Sequence, residues 1–115
     1  MKVLIIDDEK SPEVFGLKAT DVTWVRTYKQ AMEALRNNIW NVIYLDHDLG
    51  PGKTGYDICK HLMNREASSL PEVIYITSFN AVGRKRMRDI LLQVYNECKP
   101  SGKPCVFLEI SDIKF

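Results

Sequence analysis

Four short apolar runs divide the chain at long intervals: Val3–Ile6, Val42–Leu45, Val73–Ile76 and residues 106–108, with a weaker fifth at 22–25. They are continuous and rich in β-branched side chains rather than alternating. That suits strands covered on both faces, as in a parallel sheet. Between them the apolar positions recur at helical intervals. Ala31, Ala34 and Leu35 share a face in 28–38, with Thr27 placed as the cap. Ile58, Leu62 and Met63 do so in 54–65, and Met87, Ile90, Leu91 and Val94 in 82–97. Segment 12–18 is a shorter candidate helix, with Ser11 as cap and Pro12 in its first position. The tail 110–115 is too short for a full closing helix.

The resulting order, β-α-β-α-β-α-β-α-β, predicts an α/β fold: a three-layer, doubly wound parallel sheet with helices on both faces. Right-handed crossovers bring the carboxyl ends of the strands to one edge, and ligands of such sheets bind outside that edge where strand order reverses. In the order 2-1-3-4-5, the first and third strands are neighbours. The end of the first then lies beside the end of the third.

Composition narrows the picture by exclusion. At 115 residues the chain fits one domain, 1–115. Sixteen Lys and Arg against fifteen Asp and Glu leave a net charge of +1, which argues against gripping nucleic acid through overall charge or reading its sequence. Cys59, Cys98 and Cys105 have no metal-ligand spacing and read as reduced thiols of a cytoplasmic protein. No apolar run approaches the roughly 20 residues that span a bilayer. The apolar start, MKVLIIDD, is closed by two aspartates, which makes it a buried strand rather than an export signal.

The chemistry gathers at the strand ends. Asp7 and Asp8 follow the first strand and Asp46 ends the third. Three carboxylates at one edge repel unless a cation or a proton intervenes. Oxygen ligands left partly open to water suit Mg²⁺ or another divalent cation. The plainer reading is that strand-end aspartates cap loops, and it weakens when three fall at matching ends. His47 and Asp48 extend the block to Leu45-Asp46-His47-Asp48-Leu49-Gly50. His47 can serve as acid or base, or can merely orient a loop through a carboxylate. After the fourth strand come Thr77, Ser78, Phe79 and Asn80, then Gly83 and Arg84 at a helix start. Thr77, Ser78, Asn80 and Arg84 form a candidate phosphate cradle, against the alternative of a simple helix cap by Ser78 or Asn80 with Arg84 solvated. The basic run 84–88 reads as a solvated helix face, and Trp24, Trp40 and the tyrosines read as packing residues.

Ile5-Ile6-Asp7-Asp8-Glu9, Ile43-Tyr44-Leu45-Asp46 and Ile74-Tyr75-Ile76-Thr77 resemble response-regulator receiver domains over nearly the whole chain, which implies a flavodoxin-like sheet. The resemblance implies Asp7 and Asp8 as metal ligands, Asp46 as phosphoryl acceptor and Thr77 as switch hydroxyl. Receivers also carry a Lys and then a Pro at the end of the fifth strand. Here Lys103-Pro104 precedes that strand instead. A narrower resemblance is to the cyclic-phosphate-processing receiver-like domains of phages and bacteria. It is carried by Asp7-Asp8-Glu9 with Pro12, the complete block at 45–50, and Ser78-x-Asn80-x-x-Gly83-Arg84. That group also has a basic residue before the proline, for which Lys10 is the candidate. Thr77 stands where the group has a second His, and Ala81 where it has a Pro.

The resemblance implies metal-assisted binding or hydrolysis of a phosphoester, a cyclic phosphate included, with a phosphorylated small molecule or nucleotide as partner. Asp46, His47 and Asp48 are the candidate catalytic residues, and Asp7, Asp8 and Asp46 the candidate metal ligands. Two rivals stand beside this reading: a signalling receiver phosphorylated on Asp46, and a pseudo-receiver that binds a protein without catalysis.

Overall fold

The computed structural model describes residues 1–98 and 106–109. Five parallel strands, β1 (Val3–Ile6), β2 (Thr23–Val25), β3 (Val42–Leu45), β4 (Val73–Ile76) and β5 (Val106–Glu109), form one sheet in the order β2-β1-β3-β4-β5. The pairing is in step across its centre: Ile6 lies opposite Leu45 and Leu45 opposite Ile76. Strands that end in register deliver the residues after them to one line, which is what gathers the site.

Three helices form the connections from β2 to β5: α1 (Tyr28–Asn37), α2 (Gly55–Met63) and α3 (Ala81–Cys98). Each start has a local cause. Thr27 Oγ1 accepts from Gln30 N–H at 3.1 Å ahead of α1. At α2, Thr54 Oγ1 accepts from Tyr56 N–H while Asp57 reaches back to Thr54 N–H at 2.8 Å. At α3, Asn80 Oδ1 accepts from Gly83 N–H at 3.0 Å.

The main core lies between one face of the sheet and these helices. Leu4, Ile6, Ile43, Leu45, Ile74 and Ile76 meet Ala31, Leu35, Ile58, Leu62, Met87 and Leu91, all of them buried. Each of the Leu, Ile and Met side chains contributes roughly 1.5–3 kcal/mol when fully buried. Cys59 is part of this core as a free thiol, with burial pushing its pKa upward. On the other face the neighbours are aromatic. Phe15 packs on Tyr44 at 5.0 Å between ring centroids, and Tyr44 on Tyr75 at 4.8 Å.

The first crossover differs from expectation. Segment 12–18 is not an α-helix; it holds a short 3-10 turn at Pro12–Phe15, and a second turn follows at Ala19–Asp21. Gly16, at φ 74° in the left-handed region, stops the first turn, and its N–H returns to Glu13 O. The expectation of packing residues holds for Trp40 and Tyr95, while Trp24, Tyr44 and Tyr75 are only half-buried. The expected lack of a closing helix concerns residues 110–115, outside those described. Among the described residues, no helix is long and apolar enough to cross a membrane.

Candidate functional site

Backbone hydrogen bonds set the acidic cluster before any ligand is considered. Asp7 N–H donates to Val25 O at 3.1 Å, and Asp46 N–H to Ile6 O at 2.9 Å, so each aspartate is locked to a neighbouring strand. Side chains at the end of β2 clamp the same backbone. Trp24 Nε1–H donates to Asp7 O at 2.9 Å, and the Arg26 guanidinium donates to Asp8 O at 2.9 Å while stacking over Trp24. Asp7 is fully buried. Its Oδ1 accepts from the backbone N–H groups of Glu9 and Lys10 at 2.9 and 2.8 Å, which turns the chain sharply after β1.

Asp46 is buried as well, and its Oδ1 accepts from His47 N–H at 2.8 Å. Burial, then the charge of Asp7, raises its pKa to about 6, against the pull of Lys10 and of His47 N–H. One carboxylate oxygen from each of Asp7, Asp8 and Asp46 lies within 4.8 Å of the others. Asp7 Oδ2 is buried and has no aligned hydrogen-bond donor. A hard-oxygen set with surplus negative charge and one buried carboxylate oxygen that accepts no hydrogen bond fits a divalent cation. The cluster can therefore hold such an ion, with the mixed burial that leaves room for water ligands.

The facing wall comes from the end of β4. Thr77 N–H donates to Leu45 O at 3.0 Å, which sets this residue beside Asp46 across the β3–β4 pair. Thr77 Oγ1 is buried and meets no hydrogen-bond partner. Ser78 Oγ accepts from Asn80 N–H at 3.0 Å, so Ser78 and Asn80 shape the turn into α3. Asp8, Glu9, Lys10, Asp46, Asp48, Ser78, Phe79 and Asn80 line a cleft of about 150 Å³ between the walls. Two larger hollows lie elsewhere, one below the amino ends of β1 and β2 and one between α2 and α3; neither includes these carboxylates.

Two glycines let the site close up. A Cβ on Gly55 would collide with Asp46 O, and one on Gly83 would lie 2.5 Å from His47 Cγ. Thus the start of α2 rests on the backbone of Asp46, while the start of α3 rests on the His47 ring. His47 Nδ1 pairs with Asp48 Oδ1 at 2.9 Å.

The structure therefore brings Asp8, Asp46, Asp48, Ser78 and Asn80 to the cleft, while Asp7 and Thr77 are buried next to lining residues and do not line it themselves. His47 and Arg84 are not among its lining residues. Arg84 belongs to the first turn of α3 through its N–H to Asn80 O at 2.8 Å, and in the run 84–88 the cations are half-buried or exposed around a buried Met87. Sequence reasoning gave no role to Glu9 and Phe79, whose loop positions follow no periodicity. It identified Lys10 only through a resemblance.

Residues 2–93 match the family described as Cyclic-phosphate processing Receiver domain. The chain belongs to that family. No curated protein matches the sequence. Among solved structures it is similar to a response regulator receiver domain (CheY-like) from Methylobacillus flagellatus, at 14% identity and a TM-score of 0.59, covering 99% of this chain and 87% of that one. At that identity the likeness speaks for the fold alone. In this cyclic-phosphate-processing receiver domain, the acidic cluster lies at the carboxyl ends of β1 and β3.

Proposed function

We propose that this receiver domain binds a phosphoester, a cyclic phosphate included, with the help of Mg²⁺ or another divalent ion, and hydrolyses it. The observation that carries the reading is a pair of unlike deficits at neighbouring strand ends. Asp7, Asp8 and Asp46 offer negative charge without full compensation, while Thr77 Oγ1 is a buried hydroxyl without a partner. A metal phosphate supplies what each wall lacks.

Asp7, Asp8 and Asp46 would hold the ion, which when bound draws a phosphoryl oxygen to this edge and stabilises its charge. Thr77 Oγ1 donates to another phosphoryl oxygen. Ser78 and Asn80 hold the turn that places Thr77, and the amino end of α3 faces the anion with its partial positive charge. Asp48 fixes His47 Nδ1, which leaves Nε2 as the ring nitrogen that can exchange a proton. In hydrolysis, water adds across the P–O bond and its proton passes to the leaving oxygen. His47 is the residue suited to carry that proton, after a movement that brings its ring to the cleft. Such a group contributes about 10²–10⁴-fold.

A second reading uses the same residues. Asp46 beside a buried, unpartnered Thr77 hydroxyl also suits phosphorylation of Asp46 itself. ³¹P NMR separates the two. With a panel of cyclic and linear phosphoesters and Mg²⁺, the wild type should consume or bind at least one, and His47→Ala should lose turnover while keeping binding. Unchanged spectra for Asp46→Ala and His47→Ala with every compound would defeat the proposal. Acetyl phosphate adding one phosphate to the intact mass would favour the second reading.

A further inference from the structure

The cluster of strand-end carboxylates already contains a cation. Lys10 Nζ lies 3.0 Å from Asp7 Oδ2 and 3.7 Å from Asp46 Oδ2, and its side chain is only 15% exposed. The same residue donates its backbone N–H to Asp7 Oδ1, so one carboxylate fixes both ends of it. On its other side the ammonium stands 5.6 Å from the ring centroid of Phe79, in the opposite wall. Lys10 lines the cleft together with Ser78 and Asn80. Its contact with Asp7 Oδ2 is a charge contact rather than an aligned hydrogen bond.

We propose that Lys10 is a displaceable internal cation, which neutralises Asp7 and Asp46 while no divalent ion is bound and turns to the phosphate once one is. The inference rests on the reading that the strand-end carboxylates hold a divalent ion. An ammonium and a divalent ion cannot both lie within 3–4 Å of the same two carboxylate oxygens without strong mutual repulsion. A lysine stem has four flexible carbons, so the ammonium can be re-aimed with the backbone still held by Asp7 Oδ1. The displaced charge then falls on the Ser78 and Phe79 side of the cleft, where a bound phosphate would present its oxygens. Metal binding thus opens the anion site, and the two ligands become coupled through one side chain.

The test is calorimetry on Lys10→Gln with two probes, Mn²⁺ alone and inorganic phosphate at saturating Mn²⁺. The expected result has opposite signs. Mn²⁺ should bind about tenfold more tightly because its competitor is gone, and phosphate about tenfold more weakly because its cationic contact is gone. A residue that only supported the fold would move both in the same direction. Equal or weaker Mn²⁺ binding by the variant, or undiminished phosphate binding, would overturn the proposal while leaving the metal reading intact. Failure of both proteins to bind Mn²⁺ would remove both. Should the variant melt below the assay temperature, wild-type protein with ¹³C at the lysine Cε positions decides. The Lys10 resonance must move in step with Mg²⁺ saturation, and a stationary resonance contradicts the proposal.

Discussion

The two walls of the cleft are built on opposite terms. On the β1–β3 wall most of the buried polar groups are hydrogen-bonded, and Asp7 Oδ2 has an ion pair with Lys10 in place of a hydrogen bond. Asp7 Oδ1 takes two backbone N–H groups, Asp46 Oδ1 takes one, and Trp24 and Arg26 hold the backbone behind them. What that wall lacks is enough positive charge: burial, then the charge of Asp7, raises the Asp46 pKa to about 6 against the pull of the single Lys10 ammonium. On the β4–α3 wall the polar groups of Ser78 and Asn80 are used by the turn, and the deficit is one hydrogen bond, at Thr77 Oγ1. The comparison shows that a site can be prepared for a metal phosphate by two unlike shortages. Neither shortage alone would distinguish a ligand site from an imperfectly packed loop.

The largest way to break the contrast is Gly55→Ala. Its Cβ collides with Asp46 O, a backbone atom that cannot rotate away, so the acidic wall must shift. We expect a loss of about 3 kcal/mol in urea unfolding, together with loss of metal binding. An unchanged midpoint would mean that α2 does not rest on Asp46.

Next in size is a pH effect confined to the same wall. The unfolded Asp46 carboxyl titrates near 4 and the folded one near 6. A raised acid favours the folded state in its protonated form. Its contribution is therefore complete below about pH 4 and is lost as the pH rises to about 6. The metal-free melting temperature should fall over that window relative to Asp46→Asn, which cannot ionise. The stabilisation by Mg²⁺ should be large at pH 7.5 and small at pH 5. Parallel pH profiles for the two proteins would remove the charge surplus from the account.

The smallest effects sharpen the second wall. Thr77→Val removes a buried hydroxyl that has no partner, so stability should stay level or rise by up to about 1 kcal/mol. Phosphate affinity at saturating Mn²⁺ should meanwhile fall about tenfold. Asn80→Ala should do the reverse, costing about 1 kcal/mol of stability through the lost cap with a lesser effect on affinity. Thermal melts and calorimetry on the pair would show whether the hydroxyl serves the fold or the ligand.

Much of this frame was legible in the sequence because it depends on periodicity. Continuous β-branched runs place β1, β3 and β4, and strand ends in register place Asp7, Asp46 and Thr77 together. The segment at 12–18 misled because Ser11 and Pro12 give a helix start, while Gly16, only four residues on from Pro12, already gives the stop. The positions of Lys10 and Phe79 depend on the path of the chain after a strand and on side-chain rotation. Neither leaves a repeating pattern. Gly83 reads in sequence as one element of a helix start. Only the fold shows that its missing side chain is the space taken by His47.

The most direct test of the central claim is paramagnetic broadening of backbone amide resonances by substoichiometric Mn²⁺, with inorganic phosphate present. The account predicts selective loss of the Asp8, Lys10, Asp46, His47 and Thr77 signals, drawn from both walls at one edge of the sheet. Those signals should persist in Asp46→Asn. Broadening centred elsewhere, or none at all, would contradict the assignment of the strand-end carboxylates as the metal site.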